Sequence, residues 1–599
     1  MSFFSFILAS ARHYWRGHLG LLLGAFLASA ILSGSMLVGD SVRASLRRVA
    51  ELRLGQARTG LPGGDRWFTE KLARAVGAAP LIVAPGSVSA ASAQARVNGA
   101  QVLGVEDEFW RTGPSGRVVR LERGQVGVSA ALARKLGAQP GDTVLVRLER
   151  PSAISRDAPL SGSTNEEVTL RREVAVIVGA EDFGTFQLAA SQTAPDSVFV
   201  PLADLQTQIE MEGRVNALLS REPDAGALDA RLESAKTLAD LSLKLARADK
   251  PAPSWEVSTD RVFLDDAVAR DLLAALPQAH GVLTYLVNGV KSAKGATPYS
   301  MITAVDAEPA GLPGEGAGGM LVTQWLAEDQ NLAAGDEVEV RYFVVGNGRE
   351  LREETARFPV RGILPMEDAA VTPAWTPPFP GVSDVDNCRD WDPGFPMDNK
   401  AIREKDEKYW DDHKGTPKGF IPLAEGQRLW GNRFGQLTAV RFKDTGQDEA
   451  ALAAELAGRT RLADLGMVAR DFGAEAGAAA RGSVDFGGLF IGLSLFLILA
   501  ALIFAALLFL FTLERRAAQA GLLLATGWTR AQVRRSLLGE AGVVAIAGAL
   551  LGIPGGEACT RMALKGLGGA WSGAAQGLPL IYAGGAGTKA AAGAAAVLV

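Results

Sequence analysis

The chain is short of the residues that build metal centres and disulfide-stabilised folds. It has two cysteines and four histidines, scattered along the sequence: Cys388, Cys559, His13, His18, His280 and His413. Two distant cysteines exclude a disulfide scaffold, and no Cys/His group has the spacing of a zinc site. We therefore expect the soluble part of the chain to be held together by an ordinary hydrophobic core.

Strong basic charge and catalytic motifs are missing as well. The net charge is -5 at pH 7, so no overall basic field indicates a nucleic-acid partner. The sequence GGAGTK from Gly584 has the wrong ending for a Walker A motif, and there is no G-x-S-x-G or H-E-x-x-H motif. These absences argue against an enzyme, and we expect no bound cofactor.

What the chain does contain is long apolar runs. Residues 18–39, 486–513 and 538–559 carry almost no charge, and each is long enough for the roughly 20 residues that a helix needs to cross a bilayer. Ala28-Ser29-Ala30 resembles a signal-peptide cleavage site, but the apolar run continues to Val38 and is too long for a typical signal peptide. We predict three transmembrane spans.

The flanking charges predict how these spans are oriented. Residues 1–17 contain Arg12, His13 and Arg16 and no acid, and residues 514–537 contain five arginines. Positive charge marks the cytoplasmic side, so both segments are predicted to be cytoplasmic. Residues 40–59 are then an external stalk helix and 560–587 an external loop. Residues 588–599 are the start of a fourth span, so the chain looks truncated. The predicted location is the inner (cytoplasmic) membrane, with several spans.

The large external region contains an internal repeat. DRWF from Asp65 is echoed by DRVF from Asp260, and FVPL from Phe199 by FIPL from Phe420. Between these pairs, SAALARKLGAQPGDTVLVRL from Ser129 matches TQWLAEDQNLAAGDEVEVRY from Thr323. Short strands alternate with helices in each copy, which is typical of α+β structure. We predict two repeated α+β modules, at 60–245 and 255–470, joined to α-helical transmembrane spans.

The second copy carries an insertion at residues 366–416, rich in proline, acids and tryptophan. Trp375, Trp391 and Trp410 are candidates for an external docking loop, since aromatic side chains often anchor contacts with partners. The alternative is that the three rings fold back onto their own module. Four aspartates at 384, 386, 390 and 392 raise the idea of calcium, but Cys388 stands where a ligand oxygen is needed. A solvated acidic loop is the competing interpretation, and no metal is expected.

The segment ERRAAQAGLLLATGWTRAQVRRSLLGEAGVVAIAGALLG from Glu514 resembles the FtsX/MacB-like ABC transporter permeases. Its arginine-rich start, Gly521, Gly527, Glu540 and the glycines of the following span fit the family pattern. The N-terminal ILSGSMLVGDSVRASL and the modules with their Gly-Asp turns also resemble long-domain members, so the likeness covers nearly the whole chain. Gln519-Ala520 departs from the pattern, because the family commonly has an acid before the glycine.

The resemblance implies a mechanism. A separate ATPase would bind the cytoplasmic segment 514–537, and its ATP-driven motion would pass through the helices to the external modules. The residues expected at this contact are Glu514, Arg515, Arg516, Gly521, Gly527, Trp528, Arg530, Arg534 and Arg535. The alternative for the arginines is anchoring to lipid headgroups, as at any cytoplasmic flank.

The expected partners are therefore an ABC ATPase subunit, the lipid bilayer and a second permease chain in a dimer or pseudo-dimer. An envelope protein or lipoprotein is one candidate cargo; lipid, peptide and control of a cell-wall hydrolase stay open alternatives, and no nucleic acid is expected. A second hypothesis is a non-transporting membrane receptor or scaffold that binds envelope proteins through its external modules. The coupling segment favours the permease, because residues 514–537 leave no room for a cytoplasmic signalling domain.

Overall fold

The structure is a computed structural model. It describes residues 3–91, 95–151, 167–188, 194–306, 312, 318–345, 350–379, 381–482, 486–568, 580–585, 587–591 and 594, with side chains left out at 479–491.

The helices are α1 (Phe3–His13), α2 (Trp15–Leu54), α3 (Glu70–Ala75), α4 (Asp107–Thr112), α5 (Ala130–Leu136), α6 (Leu202–Gln208), α7 (Ala225–Ala235), α8 (Asp266–Ala275), α9 (Gln324–Gln330), α10 (Glu404–His413), α11 (Leu423–Trp430), α12 (Glu449–Arg459), α13 (Phe472–Gly482), α14 (Phe486–Arg515), α15 (Ala517–Ala525) and α16 (Arg530–Gly568).

The strands are β1 (Thr59–Leu61), β2 (Phe68–Thr69), β3 (Ala79–Ala90), β4 (Arg96–Val105), β5 (Gln125–Ser129), β6 (Thr143–Glu149), β7 (Glu167–Val178), β8 (Ser197–Pro201), β9 (Arg214–Val215), β10 (Ala217–Ser220), β11 (Leu243–Ala248), β12 (Ser254–Thr259), β13 (His280–Ser292), β14 (Ala296–Val305), β15 (Met320–Thr323), β16 (Glu337–Val345), β17 (Leu351–Leu364), β18 (Gly419–Ile421), β19 (Ala439–Lys443) and β20 (Arg470–Asp471).

Three helices of the described chain are long and apolar enough to cross a membrane. They are α2, the part of α14 from Gly492, and α16 to Gly566, with mean hydropathies of 2.1, 3.0 and 1.9. Each contains one of the predicted spans. The first helix does not stop at the membrane surface, because α2 runs 40 residues without a break. It ends at Leu54, before the predicted stalk boundary at 59, since Gly55 adopts a positive φ of 56° and ends the helix.

Small residues bring these helices together. α2 contacts both α14 and α16. A Cβ on Gly24 would lie 2.5 Å from the Cβ of Ala505 in α14, and a Cβ on Gly552 would lie 2.5 Å from the Cβ of Ser29. Such contacts let helix backbones approach closely, which is how helices without a hydrophobic driving force associate in lipid.

The glycines of the third span differ in their surroundings. Gly548 and Gly552 face α2, and the Ser29 hydroxyl donates a 2.7 Å hydrogen bond to the carbonyl of Ala549. A Cβ on Gly542, in contrast, would meet nothing within 4 Å among the described residues. The close approach of backbones therefore occurs at Gly548 and Gly552 and not at Gly542.

The region between the first and second apolar helices is built on two nine-stranded sheets. The first has the order β20-β1-β10-β3-β4-β8-β5-β7-β6, and β6 also pairs with β3. The six strands from β3 to β6 therefore close on themselves, and β10, β1 and β20 extend from the long strand β3. Closing a sheet leaves fewer unpaired strand edges. Valine side chains at Val88, Val102, Val126 and Val146 fill the interior.

The second sheet has the order β11-β12-β19-β13-β14-β18-β15-β17-β16, and β16 also pairs with β13. Position by position, this order parallels that of the first sheet. The predicted module limits of 60–245 and 255–470 need adjusting, because β11 belongs to the second sheet and β20 to the first. That the two are copies of one module stays a prediction.

Similar N-cap residues begin the helices α5 and α9 at equivalent places in the two sheets. Ser129 and Thr323 cap α5 and α9, each accepting a hydrogen bond from the backbone N–H three residues on, as N-cap side chains do. The turns that follow place Gly141 and Gly335 at φ values of 95° and 94°. Glycine is needed at both, because a side chain there would be strained.

The helix α2 enters the first sheet directly. The Gln56 N–H donates to the Thr112 carbonyl at 2.7 Å, and the chain continues into β1. β1 pairs antiparallel with β20, which leads into α13 and then α14. The chain therefore leaves the first membrane helix and returns toward the second through two neighbouring strands of one sheet.

Part of the predicted external loop lies against α2. The Ile581 and Ala583 N–H groups donate to the Ser45 and Ser41 hydroxyls at 2.9 and 3.1 Å. Lys589 lies 2.7 Å from a carboxylate oxygen of Glu557 in α16. Within the described residues, the segment after the third span is therefore held at the base of the stalk.

Candidate functional site

The predicted coupling segment forms a helix–turn–helix at one end of the membrane helices. Arg516 lies between α14 and α15, where the backbone turns (φ -102°, ψ 10°). Its side chain points inward rather than toward solvent and is only 7% exposed. This placement differs from that of its neighbours Glu514 and Arg515, which are exposed.

The Arg516 guanidinium makes contacts on every side. It donates to the Glu540 carboxylate at 2.6 Å, to the Gln519 amide oxygen at 2.7 Å and to the Ser10 hydroxyl at 3.1 Å. Its Cζ lies 4.0 Å from the centre of the Tyr14 ring. Arginine suits such a site because its donors are fixed in a plane and its faces stack on aromatic rings.

Glu540 lies at the centre of this cluster. Its side chain is 1% exposed, and His18 Nε2 lies 3.4 Å from the same carboxylate oxygen that Arg516 contacts. The cluster therefore joins the segment around α1, the start of α2, the α14–α15 turn and α16. A buried ion pair of this kind is weak support for stability in itself, but losing one partner is costly. We call Arg516, Glu540, His18, Ser10 and Tyr14 the buried tie.

The turn between α15 and α16 is fixed by the backbone. The Gly527 N–H donates to Leu524 and the Trp528 N–H to Leu523, at 3.1 Å each. This is the Schellman pattern, which requires a left-handed residue, and Gly527 has φ 99°. Thr529 and Gln532 then bond reciprocally to each other's backbone, a capping box that starts α16.

Trp528 packs against the N-terminal helix. Its ring lies 5.1 Å from that of Phe6 and 6.2 Å from that of Phe3, in tilted geometry. Ile7 of α1 also lies against Gly539 of α16. Sequence analysis assigned residues 1–17 only a cytoplasmic position. The signal that could have revealed this packing is the helical spacing of the apolar residues Phe3, Phe6 and Ile7.

The outer face of the segment is open. Leu522 and Leu524 of α15 are 64% and 42% exposed. The first turns of α16 bury Val533, Ser536 and Glu540 on one side. The residues of the segment that are exposed together are Glu514, Arg515, Gly521, Gly527, Arg530, Arg534 and Arg535. Seven of the nine predicted contact residues are thus exposed, as are two leucines that the sequence analysis missed, whereas Arg516 is buried and Trp528 is half-buried.

The three tryptophans proposed for a docking loop are all buried. The Trp375 indole N–H donates to the Ala370 carbonyl at 2.8 Å, and the Arg441 guanidinium stacks on its ring at 3.9 Å. Trp391 and Trp410 lie edge to face, 4.7 Å apart. In this conformation the rings serve the packing of the insertion, which is the alternative stated above, and they offer no face for a partner.

The part of the chain around the helix–turn–helix matches a known protein family. Residues 491–597, which include the helix–turn–helix and its flanking spans, match the family described as FtsX-like permease C-terminal. The chain carries an FtsX-like permease domain. The resemblance inferred from the segment starting at Glu514 is confirmed by this match.

The other comparisons add less. The periplasmic region of MacB from Actinobacillus actinomycetemcomitans is similar to this chain at 12% identity, covering 31% of this chain and 86% of that one, with a TM-score of 0.21. A likeness of that size carries no argument. A search of curated protein sequences finds no match to the chain.

At the level of the family, the permease domain gives the chain a coarse role. It is a membrane protein with helical spans and an α+β region, of the kind that serves as the transmembrane part of ABC transporters. Such subunits work with an ABC ATPase and are not themselves enzymes. Among the described residues, no group of three or more His, Cys, Asp or Glu side chains could hold a metal ion.

Proposed function

We propose that the chain is the permease subunit of an ABC transporter complex and transmits ATP-driven motion of a separate ATPase to its external modules. The ATPase binds the cytoplasmic segment 514–537. Its contact residues include the exposed leucines of α15, Leu522 and Leu524, and the exposed arginines of the first turns of α16, Arg530, Arg534 and Arg535. An apolar centre with a charged rim is the usual composition of a protein–protein contact.

The observation that carries this proposal is the connection between membrane and sheet. α2 is one rigid helix from the membrane to the edge of the first sheet, and β20, which pairs with β1, leads back into α13. α13 also packs against α2. A displacement of the spans at the cytoplasmic end would therefore reach one sheet edge through α2 and through α13, which packs against it.

The orientation follows from the charges. The N-terminus and segment 514–537 are cytoplasmic, and the modules lie outside, by the positive-inside rule. The outer face of α14 exposes Leu493, Phe496 and Ile503 in the single chain. Those side chains meet lipid or the spans of a second permease chain, arranged around a pair of ATPases in the inner membrane.

The two modules arose by duplication of one unit. Their parallel strand orders support this, and so does a further repeat: LADL occurs at Leu238–Leu241 and at Leu462–Leu465, after α7 and α12. The strand after the first LADL, β11, joins the second sheet, and the strand after the second, β20, joins the first. The two copies would thus have exchanged their last strands.

At the contact between the copies, an arginine of each copy donates to the other copy. Arg66 donates to Asp265 at 2.6 Å, and Arg261 donates to the Asp65 carbonyl at 3.4 Å. Arg66 and Arg261 occupy the same place in the repeated DRWF and DRVF sequences. The modules would therefore move as one paired body.

Exchanging both exposed leucines for glutamine, Leu522→Gln with Leu524→Gln, should abolish most stimulation of the ATPase by this chain. Burying a leucine contributes about 1.5–3 kcal/mol, so the double variant should weaken ATPase binding by at least about tenfold. Glutamine keeps helix propensity close to that of leucine. The measurement is the ATPase rate and the amount of co-purified ATPase subunit, using the full chain in detergent.

The matched control is Leu273→Gln, at an exposed leucine of α8 in the second module. It makes the same chemical change away from the membrane and should leave stimulation unchanged. Full stimulation by the double variant would contradict the proposed contact. A wild-type chain that co-purifies with an envelope protein and no ATPase would favour the scaffold hypothesis instead.

A further inference from the structure

The insertion 366–416 packs over the second sheet and leaves a small cavity beneath it. The cavity has a volume of about 20 Å³ and is lined by Trp391, Trp410, Cys388, Tyr409 and Lys418, among others. Room for a water-sized species starts at roughly 10–15 Å³. The cavity therefore accommodates one such species.

Two hydrogen-bond donors at this cavity are unused. Trp391 and Trp410 are 8% and 4% exposed, and among the described residues neither indole N–H has an acceptor. Buried polar groups are nearly always paired, so two orphaned donors on the wall of one cavity call for an explanation. The side chains lie 4.7 Å apart, ring centre to ring centre.

A positive charge faces the same space. The Lys418 side chain is buried, with its ammonium 4.5 Å from the centre of the Trp325 ring and 4.9 Å from that of Tyr409. The carboxylate paired with it, that of Asp406, lies 3.8 Å away. This distance is longer than a normal hydrogen bond, so the ammonium is held by two ring faces and a loose ion pair and can still donate to an anion in the cavity.

The acceptors near Lys418 are already occupied. Both Asp406 oxygens accept hydrogen bonds from the Arg403 guanidinium, at 2.7 and 2.8 Å. The Tyr409 hydroxyl donates to the Thr416 carbonyl, and the Cys388 thiol to the Asp406 carbonyl. The walls thus present donors from three side chains, and two of them, the indole N–H groups, have no acceptor among the described residues. A water molecule could satisfy these donors only in part, because its own two hydrogens would also need acceptors.

We propose that this cavity is a binding site for a monatomic anion, a halide, held by the Lys418 ammonium and the indole N–H groups of Trp391 and Trp410. A halide only accepts hydrogen bonds, its size fits the space, and its charge balances the ammonium. Lys418 lies next to β18, whereas both tryptophans belong to the insertion. The bound anion would therefore fasten the insertion to the sheet.

The affinity should depend on pH with a defined sign. Burial lowers the pKa of the Lys418 ammonium to about 8, and only the charged form attracts the anion. Binding should be strongest below pH 8 and weaken by about tenfold per unit above it, by linkage. The charged and titratable groups around the lysine are Asp406, Arg403, Glu407, Tyr409, Cys388 and Tyr299.

Two measurements on the full chain in detergent test the site. Crystals grown without chloride and soaked in sodium bromide should give an anomalous bromine peak within hydrogen-bonding reach of Lys418 Nζ and both indole nitrogens. In solution, bromide or chloride should raise the melting temperature relative to gluconate at equal ionic strength, as a ligand of the native state does. Lys418→Met should abolish both effects.

The control is Lys414→Met, since Lys414 is exposed and lies 5.6 Å over the Trp410 ring. It should keep both effects. If Lys418→Met does not fold, Trp410→Phe removes one donor and keeps an aromatic ring, and it should weaken halide binding by at least about tenfold. No bromine peak, or a halide effect that persists equally in Lys418→Met and Trp410→Phe, would overturn the proposal.

Discussion

Replacing Arg516 by alanine should destabilise the assembled membrane helices by about 3–5 kcal/mol. The variant leaves the Glu540 carboxylate buried without its main counter-ion, which is the expensive way to break a buried pair. It also removes the hydrogen bonds to Ser10 and Gln519 and the stacking on Tyr14. The free energy of unfolding of the full chain, measured by denaturant titration in detergent micelles, is the readout.

Arg515→Ala is the matched control, because it deletes the same side chain one residue away on the exposed side. Surface charges contribute little, so its effect should stay within about 0.5 kcal/mol. The double variant Arg516→Met with Glu540→Leu removes both charges and should recover much of the loss. Equal stabilities for Arg516→Ala and Arg515→Ala would mean that the buried tie does not hold the helices together.

The tie also changes how the coupling segment works. Sequence analysis placed Arg516 with the other arginines at the ATPase contact, because all five have the same charge and the same flank. The Arg516 side chain points inward, unlike those of the other arginines, because Arg516 lies at the turn between α14 and α15. In the proposed mechanism, the anchoring of Arg516 to Glu540 would pass a displacement of α15 to α16 and to the start of α2.

Much of the fold could be predicted because the signals are local. The spans follow from apolar length, and the helix before each Gly-Asp turn follows from the capping residues Ser129 and Thr323 and the glycines at positive φ. These features depend on a few neighbouring residues. The resemblance carried by the segment from Glu514 was confirmed for the same reason, since its pattern is contiguous.

What could not be predicted depends on contacts between distant parts of the chain. Whether Trp391 and Trp410 face solvent or the second sheet is decided by the fit between the insertion and strands more than 80 residues earlier, such as β13 and β14. The partner of β20 was equally hidden, because β1 lies about 410 residues before it. The second LADL sequence, in contrast, is visible in the amino-acid sequence. It could have extended the predicted repeat to the last strand of each copy.

Placing leucine at Gly552 should separate the first and third spans and cost more than about 3 kcal/mol. A Cβ at this position would already lie 2.5 Å from the Ser29 Cβ and 2.7 Å from the Phe26 carbonyl oxygen. Backbone atoms cannot rotate away, so the helices must move apart and lose the hydrogen bond from Ser29 to Ala549. Overpacking alone costs typically 1–3 kcal/mol. The denaturant titration used for Arg516 measures the loss.

The same span offers its own control at Gly542, where a Cβ would meet nothing within 4 Å among the described residues. Gly542→Leu makes the same change in composition and should not destabilise, since leucine also has the better helix propensity. Gly552→Ala should fall between the two. A graded loss at Gly552 with none at Gly542 would mean that stability follows the α2 contact. Equal losses of stability at both positions would mean instead that a larger side chain destabilises α16 wherever it is placed. The close approach to α2 would then not be what holds the spans together.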